Sequence, residues 1–319
     1  LLMYGFGQKA QEMVIMIYFT IILLILLFVL FIHILATKYF TNKSKDRETL
    51  SLERHLGELQ KRGYEVVAIM LQGSQNYGLA EYSDNYMSDV DSKAIVLPSF
   101  KDFVTGKTPV STTIVLDNGE HIDTKDIRVM FDMLKKENIS YIELLFTKWR
   151  IVNPKYAKLI QPLWDHRATI AAYNTNQFVR CIAGMSMEKR KALCHPYPNL
   201  IEKIEKYGFD GKQLSHCVRL NEFLEKYINN LDIEDCYQTS KREELMNLKK
   251  QLLPDGSRVM TQEEAIEMCA KYDDLTKSIK DMVVNSHTEE INGDALALLE
   301  DMKYKILRKK FKEDIKKGR

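Results

Sequence analysis

Every strong strand signal in this 319-residue chain lies ahead of residue 127, and almost everything after Asn174 reads as helix. "YEVVAIML", residues 64–71, is short, apolar and β-branched, the signature of a buried strand. Gly73-Ser74 ends it, and "DVDSKAIVL", residues 89–97, supplies the next strand before Pro98 stops it. "STTIVLDNGEHIDTKDI", residues 111–127, reads as a hairpin turning at Asp117-Asn118-Gly119. A helix fits Glu48–Lys61, the pattern turns helical again from Ile127 to Lys136, and "SYIELLFTKW" is apolar and helical or irregular. Thr261-Gln-Glu-Glu264 is a capping box ahead of a later helix. Strands first and helices later predict an α+β head with a small mixed sheet, over 48–165, followed by an α-helical domain over 166–319.

The N-terminal part points elsewhere. Val14–Ala36 carries no charge in 23 residues, enough to span a hydrocarbon core. Four cations, Lys38, Lys43, Lys45 and Arg47, follow it, and Lys9 alone precedes it, so the body is expected on the cytoplasmic side of a single-pass membrane anchor. A secretory signal would have a shorter apolar core and a small-residue cleavage site. Residues 1–13 form a leader and 37–47 a polar linker. Formal charge is +2 overall, but Lys303–Arg319 holds nine Lys/Arg against two Asp/Glu, a local +7 that leaves the rest near −5. A strongly basic nucleic-acid surface is thus not implied for the body. The tail carries Ile306, Leu307, Phe311 and Ile315 at helical spacing, which suits packing on the body or lying on an anionic leaflet. Five cysteines without a tight framework predict reduced thiols, and neither Cys194-His195 nor His216-Cys217 has zinc-site spacing.

The chemistry concentrates in residues 71–97. Residues two apart on a strand share a face, so Asp89, Asp91 and Lys93 are expected to project together. Two adjacent carboxylates repel unless a cation sits between them, and Mg²⁺ held by carboxylate and phosphate oxygens is the common solution. Gly73 lets backbone approach a ligand closely, and the turn beginning at Ser74 directs N–H groups and a hydroxyl at an anion. Together these predict a triphosphate cradle beside a metal site, suited to in-line attack on an α-phosphate. Asp123 is the choice for a third carboxylate and metal ligand, with Asp117, Glu120 and Asp126 competing. Lys212, His216 and Arg219 fall at helical spacings of four and three, hence one face. Arg128 and Glu143 suit a structural ion pair as well as a functional role.

The stretch resembles the DNA polymerase β nucleotidyltransferase superfamily, whose motif runs Gly-Ser, then Asp-x-Asp, then a later acidic residue. More narrowly it is similar to nucleotidyltransferases of the YcgL/RlaP type, through Gly73, Ser74, Tyr77, Gly78, Leu79, Ser88, Asp89 and Asp91. The likeness continues in "DIRVMFDMLKKENISYIELLF" and "GFDGKQLSHCVRLNEFL", covering about Tyr64 to Leu307. The gap between the motifs is a few residues longer here, through "SDNYM", which brings in Asp84 without a partner two residues on. The resemblance implies a polymerase-β-like head moving a nucleoside monophosphate from an NTP to an acceptor hydroxyl. It implies two Mg²⁺ ions, with Mn²⁺ as substitute, at Asp89, Asp91 and Asp123. Nucleotide contacts would come from Gly73, Ser74, Tyr77, Gly78, Lys93, Lys212, His216 and Arg219. The family's RNA-repair members make an RNA end one acceptor, beside protein and small-molecule hydroxyls. The rival reading is a non-catalytic nucleotide-sensing or scaffold protein at the membrane, against which the intact acidic pair argues.

Overall fold

The computed structural model describes residues 46–318 apart from 84–85, 230–231 and 287–290, with seven helical residues between Met16 and Phe28. It divides into two units, Leu1–Leu50 and Ser51–Arg319. Most of the leader, the apolar span 14–36 and the linker lie outside the described residues, as does Asp84. No helix of the described residues is long and apolar enough to cross a membrane.

Helix α1 (Arg47–Lys61) leads into β1 (Val66–Gln72), an interior strand of a five-stranded sheet. β2 (Asp91–Val96) pairs antiparallel with β1, from Gln72 opposite Asp91 to Val66 opposite Val96. The expected hairpin forms as β3 (Ser111–Val115) and β4 (His121–Asp126), and β4 joins β2 in parallel, with Lys93 opposite Asp123. β5 (Arg150–Val152) adds an edge on the other side of β1, giving the order β3-β4-β2-β1-β5. The sheet is mixed and the chain is α+β, as the order of signals predicts.

β1 is apolar from Val66 to Leu71 because both its faces are covered there. A bulge between Val66 and Ala68 breaks the simple alternation. Val66, Ile69 and Leu71 pack under α1 with Leu52, Leu59, Ala94 and Val96. Val67, Ala68 and Met70 pack on the opposite face, against α2 (Ile127–Lys135) and α3 (Ile139–Phe146). That second cluster continues through α4 (Thr175–Ala192), α5 (Gly211–Ile228), α6 (Arg242–Lys250) and α7 (Gln262–Ser286) to α8 (Gly293–Lys316). The sheet-bearing head and the helices after residue 165 therefore share one apolar core.

Polar contacts fix the layers. Buried His55 on α1 bridges the Ser92 hydroxyl and the Glu120 carboxylate, each at 2.8 Å. Ser, His and Glu here have the order of a nucleophilic triad, but Ser92 is fully buried, so the contact clamps α1 to the sheet. Thr261 and Glu264 make the reciprocal capping bonds at the start of α7, at 2.8 and 3.2 Å. The basic C-terminal helix packs on the body: Leu299, Met302 and Ile306 are buried, and Phe311 meets the rings of Phe100 and Phe103. Lys310 is buried between Glu65 at 2.9 Å and Asp314 at 2.6 Å.

Glu137 sits at φ 53°, a left-handed conformation that non-glycine residues rarely take, directly after α2. Its side chain is buried, and Oε1 accepts a hydrogen bond from the Asn174 N–H at 3.2 Å, joining the head to the start of α4. Burial pushes its carboxyl up to about 8 from 4.5, outweighing the Asn174 and Tyr173 backbone groups that favour the charged form. The folded chain thus keeps a proton that the unfolded chain loses near pH 4.5. This group's contribution is full at low pH and is lost as pH rises between about 4.5 and 8, by at most about 1.4 kcal/mol per pH unit. Denaturant unfolding across pH 5–8 is expected to show a shallower fall of stability for Glu137→Gln than for the unmodified chain. Parallel curves would contradict this role for Glu137.

Candidate active site

β1 ends at Gln72, and Gly73 follows with φ 99° and ψ −149°, a backbone state that only glycine adopts without strain. It turns the chain into a single 3₁₀ turn, Ser74–Tyr77, which Gly78 ends in the left-handed region at φ 70°. The turn is tied to the acidic pair by one side chain. Gln75 Nε2 donates to the Asp89 carbonyl at 2.7 Å and to the Tyr82 hydroxyl at 3.1 Å. Asp89 lies two residues before β2, exposed, and Asp91 is the first residue of β2. The Asp91 Oδ1 accepts the His121 backbone N–H at 2.9 Å, which fixes its orientation.

Across the turn stands α5. Asp210 caps it by accepting the Lys212 N–H at 3.0 Å, so the helix starts where the first of the three predicted cations sits. Lys212, His216 and Arg219 face the turn over a cavity of about 390 Å³ that Gly73, Ser74, Tyr77, Asp89 and Asp91 also line. Lys203 and Lys249 add cationic groups to the same walls. The site is therefore a cavity with a carboxylate pair on one side and a surplus of positive charge on the other, a shape that suits a polyanion carrying a divalent cation.

Burial raises the Asp91 carboxyl above its usual range; the His121 N–H and the charges of His121 and Lys212 counter this, and the nearby Asp89 charge adds to it. Burial also lowers His216 well below 6.5, and the charges of Arg219, Lys189, Lys212 and Lys249 act in the same direction. His216 is thus neutral at physiological pH and is a hydrogen-bonding group, not a cation. Arg219 is buried, with its guanidinium 3.7 Å from the centroid of the Tyr77 ring. Its Nε finds no hydrogen-bond partner among the described residues. An unsatisfied buried donor is costly to the folded chain.

Three of the expected site residues, Lys93, Asp123 and Gly78, do not line this cavity. Lys93 is buried, pairs with Asp123 Oδ2 at 3.0 Å and lies 4.1 Å from the centroid of the Tyr141 ring. Asp123 Oδ1 accepts from Thr113 Oγ1 at 2.7 Å and lies 3.4 Å from Lys125 Nζ. The cause is the parallel register, which sets Lys93 directly opposite Asp123 on the same face as Asp91. Desolvation alone would raise the Asp123 carboxyl, but Lys93, Thr113 and Lys125 hold it below its usual range. No group of three or more His, Cys, Asp or Glu side chains forms a ready metal cluster among the described residues. All five cysteines are free thiols. Gly78 shapes the turn without lining the cavity.

The pair suggested for Arg128 and Glu143 does not form. Arg128 turns back onto Asp126, the cap of its own helix, at 2.7 Å. Glu143 is instead buried behind the turn, beside Gln75 and Asn76, and burial pushes its carboxyl up to about 8 against the opposing effects of the Arg219 charge and the Gly73 backbone. The available signal was a lone carboxylate inside the apolar helix "ISYIELLF".

No family model matches this chain, and no curated protein matches it. A match is found to the solved structure of a nucleotidyltransferase-like protein from Exiguobacterium sibiricum, with 14% identity over 84% of this chain and 91% of that one. The TM-score is 0.28, and neither the fold nor the site described above rests on it.

Removing one cation from the α5 face tests the cavity directly. Lys212→Ala is expected to weaken binding of inorganic triphosphate by about 1.5–3 kcal/mol, or roughly ten- to hundredfold, as read by titration calorimetry. Unchanged affinity would show that the anion binds elsewhere.

Proposed function

We propose that this chain is a nucleotidyltransferase that moves a nucleoside monophosphate from an NTP to an acceptor hydroxyl. The observation that carries this reading is the single cavity in which the Asp89/Asp91 pair faces Lys212 and Arg219 across the Gly73-Ser74 turn. Two carboxylates at the mouth of a basic cavity have the oxygen donors that Mg²⁺ or Mn²⁺ takes, and Asp91 is held in a state that a nearby cation would relieve. Asp89 and Asp91 would hold the ion, which supplies neutralisation of phosphate charge when bound. A role for Asp123 as a further ligand requires Lys93 to let go of it.

The chain's own groups then have distinct tasks. Ser74 donates its hydroxyl to the triphosphate. Lys212 and Arg219 take the charge that builds on the leaving pyrophosphate. The acceptor oxygen bonds to the α-phosphorus, the bond from that phosphorus to the β-bridging oxygen breaks, and the acceptor's proton passes to a carboxylate of the site. The family resemblance favours an RNA end as acceptor, with protein and small-molecule hydroxyls as alternatives. The apolar run 14–36 would tether the body to the cytoplasmic face of a membrane. One observation favours a second reading, a nucleotide-binding protein without transfer: both Asp123 oxygens are already engaged.

Incubation with labelled NTP, Mg²⁺ and separate pools of RNA, protein and metabolites distinguishes the two. Label is expected in one acceptor pool. Asp91→Asn is expected to keep the thermal melt and lower transfer by several kcal/mol of barrier, roughly a hundredfold or more. Nucleotide binding with no labelled product in any pool would leave the sensor reading.

A further inference from the structure

Tyr77 lines the main cavity, and the proposed reaction gives it no task. It is the last residue of the 3₁₀ turn that begins at Ser74. Its ring carries the arginine that lines the same cavity: the Arg219 guanidinium stands 3.7 Å from the ring centroid. Both side chains are buried, Tyr77 6% and Arg219 7% exposed, so the contact is made out of bulk water. The ring is held in turn by Tyr237, whose own ring stacks against it with 6.2 Å between centroids and 22° between planes. Tyr77 comes from the turn after β1 and Arg219 from α5, so this contact joins two walls of the cavity.

The acid best placed to pair with Arg219 is engaged elsewhere. Glu222 follows it by three residues on α5, a spacing that brings two side chains together on a helix. Its oxygens accept instead from Thr239 and Ser240 and pair with Lys226 at 2.9 Å. Arg219 Nε has no hydrogen-bond partner among the described residues, and the Tyr77 ring is the contact the structure gives its guanidinium. A ring face attracts a cation through its quadrupole and adds no counter-charge. A carboxylate in the same place would hold the guanidinium and also offset its charge. A planar guanidinium lying on an aromatic face is therefore both oriented and still cationic, and it loses little side-chain freedom when an anion arrives.

We propose that Tyr77 is a positioning residue of this site, whose ring fixes the Arg219 guanidinium at the cavity wall and leaves its charge available to the polyphosphate of the nucleotide. The inference rests on the anion-binding part of the reading above and adds to it the residue that sets the geometry of Arg219.

The test titrates inorganic triphosphate into the full chain and its variants. Tyr77→Leu stays apolar and lacks the ring face. It is expected to bind about tenfold more weakly, the scale of one desolvated cation–π contact. Tyr77→Phe restores the ring and is expected to recover the affinity to within about twofold. A trifluorinated phenylalanine at position 77 keeps the shape of Tyr77→Phe and drains negative charge from the ring face. It is expected to bind about fivefold more weakly than Tyr77→Phe, and it keeps the test decisive if Tyr77→Leu does not fold. In an Arg219→Gln background the three substitutions are expected to bind alike, because the cation that the ring positions is gone. A merely structural ring would show no effect of fluorination, and its removal would cost the same with or without Arg219. Either result overturns the inference. Absence of triphosphate binding to the unmodified chain also overturns it, and the proposed function then rests on the labelled-NTP assay. Ring-dependent binding without nucleotidyl transfer removes the function and leaves the role of Tyr77 standing. Transfer without dependence on the ring does the reverse.

Discussion

The pairing of Gln72 with Asp91 at the end of the β1–β2 ladder sets the position of everything else in the site. It brings the residue before the Gly73 turn and the first residue of the acidic strand to the same edge of the sheet. A slip of one residue would send Asp91 and Lys93 to the opposite face and bury Ser92 and Ala94 wrongly. Three features resist such a slip. Ser92 is held by His55 from α1, Gln75 ties the turn to the Asp89 carbonyl, and both faces of the central strands are packed with apolar side chains. Asp91 thus stands at the end of a strand pair whose register is held by packing, which limits the freedom of its geometry.

Opposite the acidic pair, the helical half contributes cations through one face of α5. Because the core runs without interruption from Val67 on the sheet to Ile306 on the last helix, that face is held against the turn by packing. The arrangement is electrostatically unrelieved. A carboxyl raised by burial (Asp91), a buried guanidinium (Arg219) and a histidine stripped of its proton (His216) all surround one cavity. Such groups cost stability in the empty protein, and clusters of them mark sites that gain when a charged ligand arrives.

Much of this was legible in the sequence, where the signal was local. The buried strands, the hairpin at Asp117-Asn118-Gly119, the capping box at Thr261 and the cation spacing from Lys212 to Arg219 all follow from short-range rules, and each forms. What was not legible depends on long-range register. Lys93 follows Asp91 at strand spacing, which suggests a shared site, but the parallel partner strand sets Asp123 opposite it and an ion pair forms there instead. Strand β5 has three residues, too short for any periodicity to register. The His55–Ser92–Glu120 clamp joins residues up to 65 apart in the chain, and no spacing rule links them. Glu143 was visible as an odd carboxylate in an apolar helix, but its burial behind the turn is decided by which elements pack there.

The central claim is that the cavity directs chemistry to the α-phosphate of a nucleotide. The most direct measurement follows one NTP labelled in separate experiments at the α- and the γ-phosphorus, with the full chain, Mg²⁺ and an acceptor pool. The account expects the α-label to appear in the acceptor and the γ-label to leave as pyrophosphate, one for each acceptor modified. Transfer of the γ-label to the acceptor, or its release as orthophosphate without α-label transfer, would contradict it.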